Sequence, residues 1–139
     1  MAELSNWRVA KSIFVADDIE TARNYATDPN GPYYFYYSQL LTKMRKHNRL
    51  ALFKEYQDQP DDEVTLEKVF EKLVIWGTPD KVVDELLAFR ENVGQFGTLL
   101  YAGKDWLSPE LGKRSMELLA AKVQPKINEI EQKQSQAAQ

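Results

Sequence analysis

Apolar positions in this chain come in short continuous runs and in longer stretches at helical spacing. The run Leu73-Val74-Ile75-Trp76 joins the two, stopping at Gly77 before a Thr78-Pro79-Asp80 helix start. Val82, Val83, Leu86, Leu87 and Val93 then recur as the stripe of an amphipathic helix. Gly94 and Gly97 end that helix and admit a second strand-like run, Thr98 to Ala102, followed by Gly103. Strand, turn, helix, strand is the βαβ grammar of a parallel sheet, a fold that gathers its chemistry at the C-terminal ends of the strands.

The same logic opens the chain. Arg8 to Ala16 is rich in β-branched and apolar residues and stops at Asp17-Asp18, a cap for a helix through Ala26. The turn formers Asp28-Pro29-Asn30-Gly31-Pro32 break it. Tyr33, Tyr37, Leu40, Leu41, Met44, Ala51 and Leu52 predict a helix from Tyr33 to Lys54, with Arg45, Lys46 and Arg49 opposite. Gln57 to Glu63 reads as a polar loop and Val64 to Lys72 as a short helix. Ser108-Pro109-Glu110 repeats the helix-start signal and opens a last helix to about Ile130, which Pro125 should bend or end.

The order is β-α, an inserted helical stretch, β-α, β-α. Right-handed crossovers place the strand ends Asp17, Gly77 and Gly103 on one rim. A full (β/α)₈ barrel takes about 250 residues, so 139 residues suit roughly half of one, or a small open sheet. The expected fold is therefore α/β and helix-rich, a partial (β/α)₈ barrel with about three parallel strands and an inserted long helix. Residues 1–131 would form one domain and 132–139, which lack large apolar side chains, a disordered tail.

Composition narrows the function. Hydrophobic residues make up 43% and charged residues 28% of the chain, a globular balance, and no apolar run approaches the roughly 20 residues of a membrane span. The first residues lack the basic start and apolar centre of a secretory signal, which implies a cytoplasmic address. There is no cysteine, so disulfides, thiolate metal sites and cysteine nucleophiles are excluded. A net charge of −3 gives no general attraction to nucleic acid or to anionic lipid.

Five pieces in order carry a resemblance: Trp7-Arg8-Val9-Ala10-Lys11-Ser12-Ile13-Phe14-Val15-Ala16-Asp17, Thr21-Ala22-Arg23, Val74-Ile75-Trp76-Gly77-Thr78-Pro79-Asp80, Phe96-Gly97-Thr98-Leu99-Leu100-Tyr101 and Arg114-Ser115-Met116-Glu117-Leu118-Leu119. From Trp7 to about Asn128 the chain resembles the C-terminal third of bacterial luciferase-like, flavin-dependent monooxygenases. The resemblance implies a TIM barrel in which reduced FMN, or a related deazaflavin, reacts with oxygen to oxidise a small organic substrate. It also implies that the N-terminal part of such a barrel, with much of the flavin-binding and catalytic equipment, is missing here.

Candidate site residues follow from the rim. In the loop after the last strand, Gly103, Lys104 and Trp106 would hold a flavin phosphate or anionic substrate and stack on a ring; alternatively, Asp105 and Ser108 cap a helix while Trp106 covers the core. Relatives of this pattern often carry histidine where Lys104 stands, so no proton-transfer role carries over. Gly77 and Thr78 offer helix-start amides to an anion, although Pro79 removes one of them, and a plain cap worth about 1 kcal/mol is the competing reading. No catalytic acid, base or nucleophile stands out.

Other clusters read as structure. Tyr33-Tyr34-Phe35-Tyr36-Tyr37 cannot form one stacking platform, because a helix turns successive residues to different faces. His47, the sole histidine, has no partner at metal-ligand spacing, and the acids between Asp58 and Glu63 lack the spacing of a calcium loop. Two classes of function remain: part of an FMN-dependent monooxygenase, inactive alone, or a non-catalytic domain whose open strands are covered by a second copy or by a complementary barrel half.

Overall fold

The computed structural model describes residues 3–104 and 106–139. Its sheet is built on β1 (Arg8–Val15), whose C-terminal half runs parallel to β2 (Val74–Gly77), from Ser12 opposite Val74 to Val15 opposite Gly77. The N-terminal half of β1 runs parallel to β3 (Thr98–Ala102), from Arg8 opposite Thr98 to Ser12 opposite Ala102. The strand order is β2-β1-β3, so the first strand is the middle one.

Phe14 points to one face of the sheet and Ile13 and Val15 to the other, and all three are fully buried. Helices on both faces explain why β1 reads as a continuous apolar run instead of an alternating one. On the Phe14 side lie α1 (Ile19–Ala26), α2 (Pro32–Lys46) and α3 (Leu66–Leu73), which contribute Ala22, Tyr33, Tyr37 and Phe70 to one core. On the other side, α4 (Pro79–Val93) and the C-terminal helices contribute Val82, Leu86, Leu118 and Val123 to a second.

Because β1 outruns β3, its last backbone groups on that side need other partners. Ala16 N–H donates to Gly77 C=O, which turns the alternate residues Ile13 and Val15 toward the β3 side, beyond the end of β3. There the Tyr33 hydroxyl donates to Ile13 C=O (3.1 Å) and Val15 N–H donates to the fully buried Ser115 Oγ (2.9 Å). Side chains from α2 and from α5 (Pro109–Leu118) thus complete the ladder that the short strand leaves unfinished.

The structure corrects the sequence reading at several points along the helices. The helix expected from Tyr33 to Lys54 stops at Lys46: Asn48 adopts a left-handed φ of 55°, Arg49 N–H closes back on Met44 C=O (2.9 Å), and a 3₁₀ turn, Leu50–Phe53, follows. Leu52 is consequently 73% exposed instead of core. Val93 leaves the buried stripe of α4 at 51% exposure, since it sits in the last turn, beyond the sheet.

Pro125 does not end the last helix. A π-helical turn, Leu119–Val123, carries the helix without a break from α5 into α6 (Gln124–Ala137), and Pro125, which has no N–H to give to the preceding turn, lies just beyond that widened turn. Residues 132–139 are exposed throughout but helical to Ala137, unlike the disordered tail expected of them.

Candidate functional site

The parallel strands bring Asp17, Gly77 and Gly103 to one end of the sheet, with a stagger. Gly77 is level with Val15, whereas β3 stops at the level of Ser12. The five candidate residues therefore form two groups separated by β1: Gly77 and Thr78 beyond β2, and Gly103, Lys104 and Trp106 beyond β3.

At the first group, Gly77 has a φ of 153°, which favours glycine, and the aliphatic stem of Lys81 lies against it where a Cβ would project. The Lys81 ammonium donates to Trp76 C=O (2.5 Å), pairs with Glu85 (2.7 Å) and sits 4.2 Å above the Trp76 ring. The start of α4 is thus roofed by a cation that already has partners. The Thr78 side chain makes no capping hydrogen bond, contrary to the hydroxyl cap expected there. Its backbone C=O accepts from Val82 N–H instead.

At the second group, Lys104 Nζ lies 3.8 Å from the ring centre of Tyr36 and 5.7 Å from that of Tyr37, and burial holds its pKa below the usual lysine value. Tyr37 is fixed in turn by a 2.7 Å hydrogen bond to the buried Ser12 Oγ. The Trp106 indole lies on Gly112 of α5, where a Cβ would collide with it, and remains 36% exposed. Leu107 N–H donates to the Tyr25 hydroxyl (3.1 Å), and Ser108 Oγ accepts from Leu111 N–H (3.3 Å) as the cap of α5. The proposed capping role of Asp105 lies outside the described residues.

Two features of this end were missed in the sequence. Arg114 grips Asp17 with two hydrogen bonds (2.9 and 2.8 Å), which hold the Asp17 carboxyl below its ordinary pKa, and it also reaches Glu117 (3.5 Å). Nothing in their spacing, 97 residues apart, announces the pair. Ser115 bridges Val15 N–H and, at 3.3 Å, the Tyr101 hydroxyl. Burial raises the phenol pKa of Tyr33, Tyr37 and Tyr101.

These observations test the rim against FMN. A flavin mononucleotide needs donors free for its phosphate and an open apolar face for its ring system. Here Lys81 and Arg114 are paired, the Gly77 turn is covered and Lys104 is seated on tyrosine, so the described residues do not make an FMN cradle by themselves. A concavity of about 340 Å³ lined by Leu86, Phe96, Leu99, Val123 and Ile127 reaches Thr98, at the opposite end of β3 from the rim.

No protein-family model matches the chain. Over 124 residues it is 34% identical to 4-hydroxyprotoasukamycin monooxygenase of Streptomyces nodosus subsp. asukaensis, covering 89% of this chain and 31% of that protein. Its fold is similar, at a TM-score of 0.72, to the oxygenating constituent of 3,6-diketocamphane monooxygenase of Pseudomonas putida, a type II Baeyer-Villiger monooxygenase in complex with FMN. That match is 24% identical and covers 91% of this chain and 35% of the other. The chain spans about a third of the length of both proteins. Fold and comparison agree on a helix-rich α/β unit consistent with part of a (β/α)₈ barrel. The sequence match is to a monooxygenase, and the solved fold holds FMN. No helix among the described residues is long and apolar enough to cross a membrane.

Proposed function

We propose that this chain is the C-terminal portion of a flavin-dependent, luciferase-like monooxygenase of the cytoplasm, inactive alone and completed by the remainder of a barrel. The observation that carries the reading is the 34% identity to a monooxygenase across 89% of the chain. Reduced FMN would supply the electrons that activate dioxygen toward a small organic substrate. The contribution of this chain is a rigid wall: Ser115 and Tyr33 hold the end of β1, and Lys104, drawn off Tyr36 by a ligand's negative charge, and Trp106 are its contacts at the rim.

A second reading is a non-catalytic domain that pairs with itself or with a complementary half. It is favoured by the outer edge of β3, where Leu99 and Tyr101 have no further backbone partner among the described residues, and by Leu100, 49% exposed.

Titration with oxidised and reduced FMN, run beside sedimentation, tests both. The chain alone is expected to leave flavin absorbance and fluorescence unchanged, and a barrel reconstituted with the N-terminal part of a relative is expected to bind. Saturable binding by the isolated chain would overturn the dependence on a missing half. A monodisperse monomer in sedimentation would count against self-pairing. In the reconstituted barrel, Lys104→Ala is expected to weaken flavin or substrate binding roughly tenfold, the loss of one charge-assisted contact. Unchanged affinity would return Lys104 to the surface.

A further inference from the structure

The last turn of α2 ends beside a concavity that shares no lining residue with the strand ends the monooxygenase reading uses. Lys43 and His47 stand one helical turn apart, and the left-handed Asn48 folds the chain back so that Arg49 rejoins them. Lys43, Met44, His47 and Arg49 line a space of about 340 Å³. Neighbouring cations have found partners: Lys54 pairs with Asp61 (2.7 Å) and Arg45 donates to Val64 C=O (2.7 Å). Among the described residues, no carboxylate pairs with Lys43, Lys46, His47 or Arg49.

Cations at a helix C-terminus offset the macrodipole, but that end amounts to only about half an elementary charge. Lys43, Lys46 and Arg49 carry three full charges there, in a protein whose net charge is −3. The excess is local and concave, and it combines a planar guanidinium fork with a point-like ammonium. That combination suits a small, multiply charged oxyanion.

We propose that this concavity is a phosphate site, which takes a phosphate dianion, free or as a monoester, between the Lys43 ammonium and the Arg49 guanidinium. A ring N–H of His47 is the third donor and Met44 forms the apolar floor. The site is independent of the monooxygenase reading.

His47 is the only histidine, so its ring Cε1–H gives a single reporter resonance in proton NMR of the full chain. At about pH 8 phosphate is a dianion. Titration with inorganic phosphate at constant ionic strength is expected to move that resonance saturably. Lys43→Gln and Arg49→Gln should each weaken binding roughly tenfold, while Lys72→Gln on α3 leaves it unchanged. A shift that is linear in phosphate, is reproduced by chloride, or has the same midpoint in all three variants would overturn the site. FMN and riboflavin separate the sources: FMN equal to inorganic phosphate assigns the site to the free anion, and tighter FMN assigns it to a nucleotide monoester. An equal response to riboflavin, which has no phosphate, would overturn it too.

Discussion

Ser115 shows what one hydroxyl does in a buried place. It sits on α5, a full 100 residues after Val15, and accepts the backbone N–H that β3 is too short to reach. Ser115→Ala would leave that N–H buried without a partner, a loss of about 1–3 kcal/mol of unfolding free energy readable by urea denaturation. Ser115 was legible only as part of the Arg114-Ser115-Met116 resemblance. Its role was not, because a serine between Arg114 and Met116 in a helix gives no sign that it faces the end of a strand. Arg114 and Asp17 were hidden for the same reason: each is an ordinary surface residue until the fold brings them together.

Among the elements, helix starts were legible and their chemistry was only half so. Thr78-Pro79-Asp80 and Ser108-Pro109-Glu110 are the same motif in sequence, and both begin helices as expected. Yet only Ser108 lends its side chain to a backbone N–H. Ser108→Ala is therefore expected to cost about 1 kcal/mol, within the usual range for a lost cap, and Thr78→Ala to stay within about 0.5 kcal/mol of the parent. Equal midpoint shifts in thermal melts of the two variants would contradict this difference. The end of α2 was misjudged because apolar periodicity continues past Asn48 through Ala51 and Leu52, while the break is made by one left-handed residue. Strand identity and direction followed from the apolar runs, but adjacency did not: nothing in a run states that β1 takes both neighbours.

For the molecule as a whole, two cores back to back on one thin sheet make the buried phenols a shared dependency. Burial raises the pKa of Tyr33, Tyr37 and Tyr101 above the unfolded value of about 10. The fold thus favours their neutral forms. That contribution is complete below about pH 10 and drains away as pH rises through the folded-state values, because unfolding then releases protons. Urea midpoints should hold steady up to about pH 9 and fall above pH 10, and Tyr33→Phe should flatten the fall. The helix-rich α/β fold with three parallel strands was legible in the sequence, whereas the pairing of the rim cations needed the folded geometry.

The π-helical turn between α5 and α6 has a consequence for chain length. A π turn holds one residue more than the α-helix around it, and here it precedes the helix whose Ile127 and Ile130 rest on the second core. Deleting Ala120 alone would let the helix close to regular α geometry and reach the same rotation with one residue fewer, so Ile127 and Ile130 would still face the core. Deleting Asn128, within the regular turns of α6, would instead carry Ile130 about 100° around the helix and off its core. The seating of the C-terminal helix thus tolerates the loss of a single codon at the π turn and not two turns further on.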